Sequence, residues 1–144
     1  QIAHERDDRI KRLSGKIDRV LVDAPCSGLG TLRRNPDMKW RQTPDAVEEL
    51  RVKQAAILAS AARLLKPGGR LVYATCSPLG VENEAIADAF TEANRATFRP
   101  LAADEVLAAA HVEGAQALVR HGFLRLWPHR HGTDGFFAAV WQRS

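Results

Sequence analysis

The sequence predicts an α/β fold with a mixed sheet that is parallel at its start and antiparallel at its end. Two short apolar runs rich in β-branched residues flank a helical segment, which predicts a βαβ unit, and two late β segments predict a hairpin. With 144 residues, of which 45% are hydrophobic, the chain is typical of a single globular domain.

The first predicted strand covers residues 19–23, an apolar run of the kind buried in parallel sheets, and it ends at Pro25. Residues 26–42 then change to Gly, Arg, Asn, Pro and Lys without an apolar period. This composition predicts a long loop of the kind that often carries function. It is also the most basic part of the chain.

A long helix is predicted for residues 44–65. Thr43 is a good N-cap, Pro44 suits the first turn, and apolar residues recur at helical spacing from Val47 to Leu65. The segment 66–69 (Lys-Pro-Gly-Gly) ends the helix, and residues 70–75 predict a second buried strand.

The remaining elements are shorter. Residues 82–93 predict an amphipathic helix, and residues 97–101 are a short strand candidate. Residues 102–122 are ambiguous between a short helix and an irregular insertion, because Gly114 interrupts an Ala- and Leu-rich pattern. Segments 123–127 and 135–141 predict the closing hairpin.

Composition restricts the function classes. A net charge of +4 gives only a weak general attraction for phosphates. Two cysteines are too few for a disulfide framework or a four-cysteine zinc site, and His129 and His131 have no evident third ligand, so we expect free thiols, surface histidines and no metal. Without a membrane-spanning run or signal-peptide core, the chain is expected to be cytoplasmic and not to contact membranes.

Both cysteines follow predicted strands at a turn. Ligands of open α/β sheets bind beyond the carboxyl ends of the strands, so Cys26, Cys76 and Asp23 are expected at one rim of the sheet. A thiolate is a strong nucleophile that can add to an electron-poor ring carbon, which suggests covalent catalysis. The alternative is that each cysteine is a small buried hydrophobe.

Two motifs carry a family resemblance: Asp23-Ala24-Pro25-Cys26-Ser27-Gly28 and Ala74-Thr75-Cys76-Ser77. They resemble the two cysteine motifs of the RNA (cytosine-5) methyltransferases of the Sun/Fmu family. The flanking segments 31–40, 65–69 and 134–137 are also similar, so the resemblance covers roughly residues 17–142. It implies that residues 17–144 form the C-terminal part of a catalytic domain, with four strands from the later half of a Rossmann-like class I S-adenosylmethionine methyltransferase sheet.

The resemblance also implies residue roles. Cys76 would attack C6 of cytosine, and Cys26 would assist loss of the C5 proton or release of the enzyme. Asp23 would contact the base edge or S-adenosylmethionine, and Pro25 would lie beside that cofactor. The second cysteine motif favours RNA over DNA as the substrate. Small-subunit ribosomal RNA is the leading candidate, and transfer RNA remains the alternative.

In an RNA methyltransferase, the basic loop at residues 26–42 would face the RNA. Arg33, Arg34 and Lys39 are candidate RNA contacts, with Arg41 and the aromatic Trp40 among them. The alternative to RNA contact is a solvated loop in which Trp40 packs beneath the loop as a buried anchor.

The family's glycine-rich cofactor loop has no counterpart in residues 1–18. The segment Gly28-Leu29-Gly30 does not replace it, because it leads into a polar loop rather than a helix. Residues 1–16 are a charged segment without an initiator Met, which suggests a truncated start and a fragment that is inactive by itself. The unpaired first strand predicts self-association, coverage of its edge by that segment, or marginal stability.

Two further hypotheses belong to other functional classes. The chain could be a non-catalytic RNA-binding remnant, which the absent cofactor loop favours. It could also be a thiol enzyme of acyl transfer with Cys76 paired to a histidine, but the sequence offers no nucleophile elbow and no evident base.

Overall fold

The computed structural model describes residues 8–144, apart from the side chain of Arg9. The helices in this part are α1 (Asp8–Lys11), α2 (Met38–Arg41), α3 (Pro44–Ala62), α4 (Glu84–Ala93), α5 (Ala103–Ala109) and α6 (Pro128–His131). The strands are β1 (Ile17–Asp23), β2 (Leu65–Thr75), β3 (Phe98–Leu101), β4 (Val119–Arg120), β5 (Phe123–Leu126) and β6 (Phe136–Arg143). Two 3-10 turns lie at Leu29–Thr31 and Ala115–Leu118.

The strands form one mixed sheet in the order β1-β2-β6-β5-β4, and β3 also pairs with β6. Strands β1 and β2 are parallel, whereas the other pairs are antiparallel. This confirms the predicted α/β fold with a parallel start and an antiparallel end. The described sheet has six strands rather than the four that the resemblance implies: the short strand candidate at 97–101 is confirmed as β3, and residues 119–120 add β4.

Helix α3 connects the two parallel strands, as the sequence predicts. The Thr43 hydroxyl accepts a hydrogen bond from the Ala46 amide at 3.1 Å, and Pro44 occupies the first turn. The helix ends at Ala62, three residues before the predicted end, because Leu65 already pairs with Ile17 in the sheet. It buries Leu58 and Ala62 against the strands.

Strand β2 begins earlier than predicted. Its first residue, Leu65, pairs with Ile17, and regular pairing resumes only at Arg70 opposite Arg19. The extra residues form an irregular segment in which Gly68 has a φ of +78°, a conformation that glycine adopts readily. Segment 66–69, which the sequence places between the helix and the strand, is therefore a bulge within the strand.

One face of the sheet carries the main core. Helices α3 and α4 cover it, and the aromatic rings of Phe90, Phe98 and Trp141 pack there with centroids 5.4 Å (Phe90 to Phe98) and 4.9 Å (Phe90 to Trp141) apart. The Trp141 indole N–H donates to the Thr91 hydroxyl at 2.8 Å. The core fixes the positions of β1 and β2, whose carboxyl ends carry the two cysteines.

The ambiguous segment 102–122 contains both kinds of structure that were considered. It begins with the helix α5 and continues through the 3-10 turn 115–118 into the short strand β4. Gly114 separates the two helical pieces with a φ of +65°.

Helix α4, which the sequence predicts from residue 82, begins at Glu84 in the structure. Glu82 therefore belongs to the turn that precedes this helix.

Strand β1 ends the sheet, and within residues 8–144 its outer edge has no partner strand. Leu21 of this strand is 68% exposed. The amides of Gly15 and Lys16 donate to the carbonyl groups of Arg63 and Leu64 beyond α3. Residues 14–17 are thus attached near the end of that helix. Coverage of the edge by residues 1–7 lies outside the described part.

No helix in residues 8–144 is long and apolar enough to cross a membrane.

Candidate active site

The two cysteines meet at the carboxyl end of the parallel strands. Register pairs Asp23 with Ala74, so Cys26 and Cys76 follow adjacent strands at nearly the same level. Their sulfur atoms lie 3.5 Å apart, although the residues are 50 positions apart in the sequence. Both side chains are partly buried free thiols. The predicted convergence is confirmed, while the chemical roles of the two thiols remain predictions.

The surroundings of Cys26 favour its protonated form. Burial raises the pKa of the Cys26 thiol to about 12, and the charge and hydrogen bond of Cys76 act in the same direction. The Gly28 backbone opposes this change by hydrogen bonding. Cys26 is therefore a neutral thiol near pH 7.

A fully buried carboxylate, Glu82, lies beneath the two cysteine turns. Its Oε1 atom accepts hydrogen bonds from the Ser27 amide at 2.8 Å and the Gln54 side chain at 3.0 Å. Its Oε2 atom accepts from the Ser27 hydroxyl at 2.6 Å and from the Ser77 hydroxyl. Sequence reasoning assigned Glu82 only to a helix, and no local pattern indicates partners up to 55 positions away.

Gly30 joins three backbone segments at the site. Its N–H donates to the Cys76 carbonyl oxygen at 2.8 Å, and its own carbonyl accepts from the Gly135 N–H at 2.8 Å. A Cβ atom at position 30 would lie 2.4 Å from the Gly135 oxygen and 2.6 Å from the Cys76 oxygen. Only glycine permits this approach, so Gly30 ties the first cysteine loop to the second one and to the Asp134-Gly135 motif.

The basic loop packs against the closing hairpin. The Arg33 guanidinium donates to the Gly132 carbonyl at 2.6 Å, and Arg34 forms an ion pair with Asp134. The Arg34 side chain remains 65% exposed, so it can also meet a ligand. The loop is not wholly irregular as predicted, since it contains the 3-10 turn 29–31 and α2.

The alternative in which Trp40 anchors the loop from below is wrong. The residue is 80% exposed, and the Lys39 ammonium lies 4.8 Å from the centroid of its indole ring. An exposed aromatic ring among cations is a surface on which a base can stack.

Asp23 and Pro25 lie at the exposed end of β1. The neighbouring residues Val22 and Ala24 point into the core, so Asp23 points to the opposite face of the sheet, which is exposed there. An exposed carboxylate suits a cationic group such as the ammonium or sulfonium of S-adenosylmethionine. The Asp23 carboxylate meets that requirement, and Pro25 is exposed near it.

Metal ligands are not grouped in the described residues. In that region no three His, Cys, Asp or Glu side chains are arranged to hold a metal ion. The Nδ1 atom of His131 accepts a hydrogen bond from the Trp127 amide at 2.9 Å, and His129 is exposed.

Comparison with known proteins identifies the family. A family model described as 16S rRNA methyltransferase RsmB/F matches residues 2–142. The chain belongs to this RsmB/F family. The two cysteine motifs and the Asp134-Gly135 motif that meet in the structure all lie within the matched residues.

Individual relatives agree with the RsmB/F assignment. The chain is 44% identical over 140 residues to a Mycobacterium tuberculosis protein named as a methyltransferase, covering 95% of this chain and 29% of that protein. It is 38% identical over 125 residues to ribosomal RNA small subunit methyltransferase F of Aliivibrio fischeri. That match covers 85% of this chain and 25% of the Aliivibrio protein. The chain therefore spans less than a third of the length of these relatives.

A solved structure supports the fold. NSun6 from Pyrococcus horikoshii, determined with SFG, an analogue of S-adenosylmethionine, superimposes with a TM-score of 0.69 and 26% identity. The match covers 94% of this chain and 32% of that one. The fold is thus part of a class I methyltransferase sheet, as the resemblance implied.

Proposed function

We propose that the protein containing this chain transfers a methyl group from S-adenosylmethionine to C5 of cytosine in small-subunit ribosomal RNA. The observation that carries the proposal is the 3.5 Å approach of two thiols at the ends of adjacent parallel strands. Membership of the RsmB/F family supports RNA methylation as the reaction class. Because it acts on ribosomal RNA, we also propose that the protein is cytoplasmic.

Cys76 is proposed as the nucleophile. Addition of its thiolate to C6 converts the C5–C6 double bond into an electron-rich system at C5, which is then able to take a methyl group. Loss of the C5 proton restores the double bond and expels the Cys76 sulfur. The place of Cys76 in the Thr75-Cys76-Ser77 motif supports this role through the family resemblance, and burial raises the pKa of the neighbouring Cys26 thiol.

Cys26 is proposed to assist the release of Cys76. A protonated Cys26 can donate a hydrogen bond to the departing Cys76 thiolate across the 3.5 Å gap between the sulfur atoms. Stabilising this leaving group lowers the barrier for separating enzyme from product. Of the two roles implied by the resemblance, the raised pKa favours release over direct removal of the C5 proton.

Asp23 and Pro25 are proposed to contact the cofactor, and the carboxylate of Asp23 could alternatively pair with the base edge. When bound, S-adenosylmethionine supplies the methyl group. RNA is proposed to lie across the exposed residues Arg33, Arg34 and Lys39, of which Lys39 lies beside the aromatic ring of Trp40.

Trapping with RNA that contains 5-fluorocytosine tests the mechanism in the full-length protein. Fluorine at C5 prevents the proton loss that normally frees the enzyme, so a covalent adduct should accumulate. We expect the adduct to disappear in Cys76→Ser and to persist in Cys26→Ser. An adduct that persists in Cys76→Ser but is lost in Cys26→Ser would reverse the assignment.

A non-catalytic RNA-binding protein is the competing outcome of that experiment. In that case the protein would retard labelled RNA on a native gel, but no variant would form an adduct. For the 144-residue chain by itself, titration calorimetry with S-adenosylmethionine is expected to show weak or undetectable binding. Tight binding would refute the prediction that most cofactor contacts lie outside these residues.

A further inference from the structure

The carboxylate of Glu82 has no solvent exposure. Burying an ionised carboxyl group costs several kcal/mol unless hydrogen bonds or a counter-ion compensate it. In residues 8–144, the hydrogen bonds to its two oxygens come from neutral donors, two on each oxygen. A hydrophobic residue of similar size would avoid the desolvation cost, so stability alone is a poor explanation for this arrangement.

The donors of these hydrogen bonds show which parts of the chain Glu82 connects. Ser27 directly follows Cys26, and Ser77 directly follows Cys76. Ser27 uses both its amide and its hydroxyl, and Ser77 uses its hydroxyl. Consecutive Cα atoms are about 3.8 Å apart, so each bond anchors the backbone within one residue of a thiol. One side chain thus joins two turns that are 50 positions apart.

Glu82 is itself attached to the rigid part of the fold. The Tyr73 hydroxyl in β2 donates to the Glu82 carbonyl oxygen at 2.6 Å. The Gln54 side chain in α3 donates to Glu82 at 3.0 Å and to the Pro25 carbonyl at 2.9 Å, immediately before Cys26. The burial of Tyr73 and the charge of Glu82 raise the Tyr73 pKa, so this hydroxyl stays a donor.

We propose that Glu82 is a positioning residue that holds the Cys26 and Cys76 turns at the separation required for methyl transfer. Its recorded hydrogen bonds reach the turns rather than the sulfur atoms, so it acts through Ser27 and Ser77. The proposal rests on the proposed function for its catalytic consequence. The geometric part, a fixed distance between two thiols, is measurable without methyl transfer.

Oxidation of the two thiols measures that geometry directly. Diamide, an azo oxidant, accepts two electrons and two protons from Cys26 and Cys76 and becomes a hydrazine, while the sulfur atoms form a disulfide. In the full-length protein, the disulfide-linked peptide pair is quantified by mass spectrometry against time. We expect Glu82→Gln to slow its formation about tenfold, since a carboxamide keeps the size but cannot accept all four bonds and the turns lose their alignment.

The second measurement reads the catalytic consequence. We expect Glu82→Gln to lower kcat for RNA methylation, and the rate of 5-fluorocytosine adduct formation, about tenfold while KM for RNA changes little. If the wild-type protein forms no adduct but Glu82→Gln slows disulfide formation, the methyl-transfer proposal fails and the positioning of the thiols stands. If Glu82→Gln keeps wild-type oxidation and adduct rates, the positioning role is overturned.

Two further variants separate positioning from general destabilisation. Thr91→Val removes the acceptor of the Trp141 indole in the core and should leave both rates near the wild-type values. If Glu82→Gln fails to fold, the same rates are measured in Ser77→Ala, which frees one turn only, and a smaller decrease in both is expected. Wild-type rates in a folded Ser77→Ala protein, or equal losses in Thr91→Val, would contradict the proposal.

Discussion

The chemistry of Cys26 depends on where the fold places its sulfur atom. Desolvation disfavours the thiolate, and a second sulfur atom at 3.5 Å makes a negative charge at Cys26 less favourable still. An ordinary exposed cysteine would lose its proton at lower pH. This one is better suited to holding a proton beside a sulfur atom that must leave.

Alkylation with iodoacetamide tests the raised pKa of Cys26, because only the thiolate reacts. In the folded protein we expect the Cys26 rate to rise steeply at pH 10, whereas in urea it should reach half its maximum near the ordinary pKa of 9.0. Peptide mass spectrometry from pH 7 to pH 10.5 or so separates Cys26 from Cys76. The shift should survive in Cys76→Ser, since burial is its largest cause.

The raised pKa of Cys26 makes the stability of the fold depend on pH. The folded state binds the Cys26 proton more tightly than the unfolded chain, so this thiol stabilises the fold below the unfolded pKa of 9.0. The contribution is lost as the pH rises from there towards about 12. A folded-state rate profile that reaches half its maximum at or below pH 9 would refute both statements.

At single positions, the sequence indicated the two thiols but missed the residue beneath them. Cys26 and Cys76 each follow a strand at a turn, and this local signal is enough to place them at one rim. Glu82 looks like any acidic residue near a helix start. Its partners Ser27, Ser77 and Gln54 come from distant segments, and no periodicity encodes such contacts.

Among the structural elements, the junction at Gly30 makes the cysteine loops and the hairpin interdependent. We expect Gly30→Ala to lower the free energy of unfolding by about 1 to 3 kcal/mol, because the added methyl group forces two carbonyl groups apart. Urea denaturation measures the change. Gly30→Ala should also slow disulfide formation between Cys26 and Cys76, since the Cys76 carbonyl is one of the displaced groups.

Gly80→Ala is the matched control for that substitution. A Cβ atom at position 80 would lie 3.5 Å from Glu84, an ordinary contact, so stability should stay the same or increase slightly. A stability loss in Gly80→Ala as large as that in Gly30→Ala would show that crowding at the junction is not the cause.

Elements with strong local signals were predicted well. The capped start of α3, strand β1 and the closing hairpin follow from Thr43, Pro44 and the apolar runs alone. The start of β2 was missed because Pro67 and Gly68 are typical of turns. In the structure, pairing of Leu65 with Ile17 extends the strand to a start before these two residues. The helical turn α2 was also missed, since its four residues span little more than one turn and carry no measurable period.

For the molecule as a whole, the outer edge of β1, which has no partner strand within residues 8–144, is the feature most prone to association. A strand edge with unpaired backbone groups pairs readily with another chain. We expect the 144-residue chain to self-associate with rising concentration, measured by size-exclusion chromatography with light scattering. Leu21→Lys should reduce association, because a charge replaces an apolar side chain that is 68% exposed on this strand.

Val52→Lys provides the comparison for Leu21→Lys. Val52 is 65% exposed but lies on α3, away from the strand edge, so a lysine there adds the same charge without altering the edge. Association should match that of the unmodified chain. A monomer at all concentrations, or an equal effect of both lysines, would refute association through β1.

The central position of β6 has a consequence for the order in which the protein can be made. This strand lies between β2 on one side and β3 with β5 on the other, yet it comes after all of them in the chain. As the polypeptide leaves the ribosome, the strand edges that pair with β6 remain unpaired until Phe136–Arg143 has been synthesised and released. A premature stop before this segment would therefore leave the β1-β2 pair, the β4-β5 pair and the single strand β3 with nothing to join them.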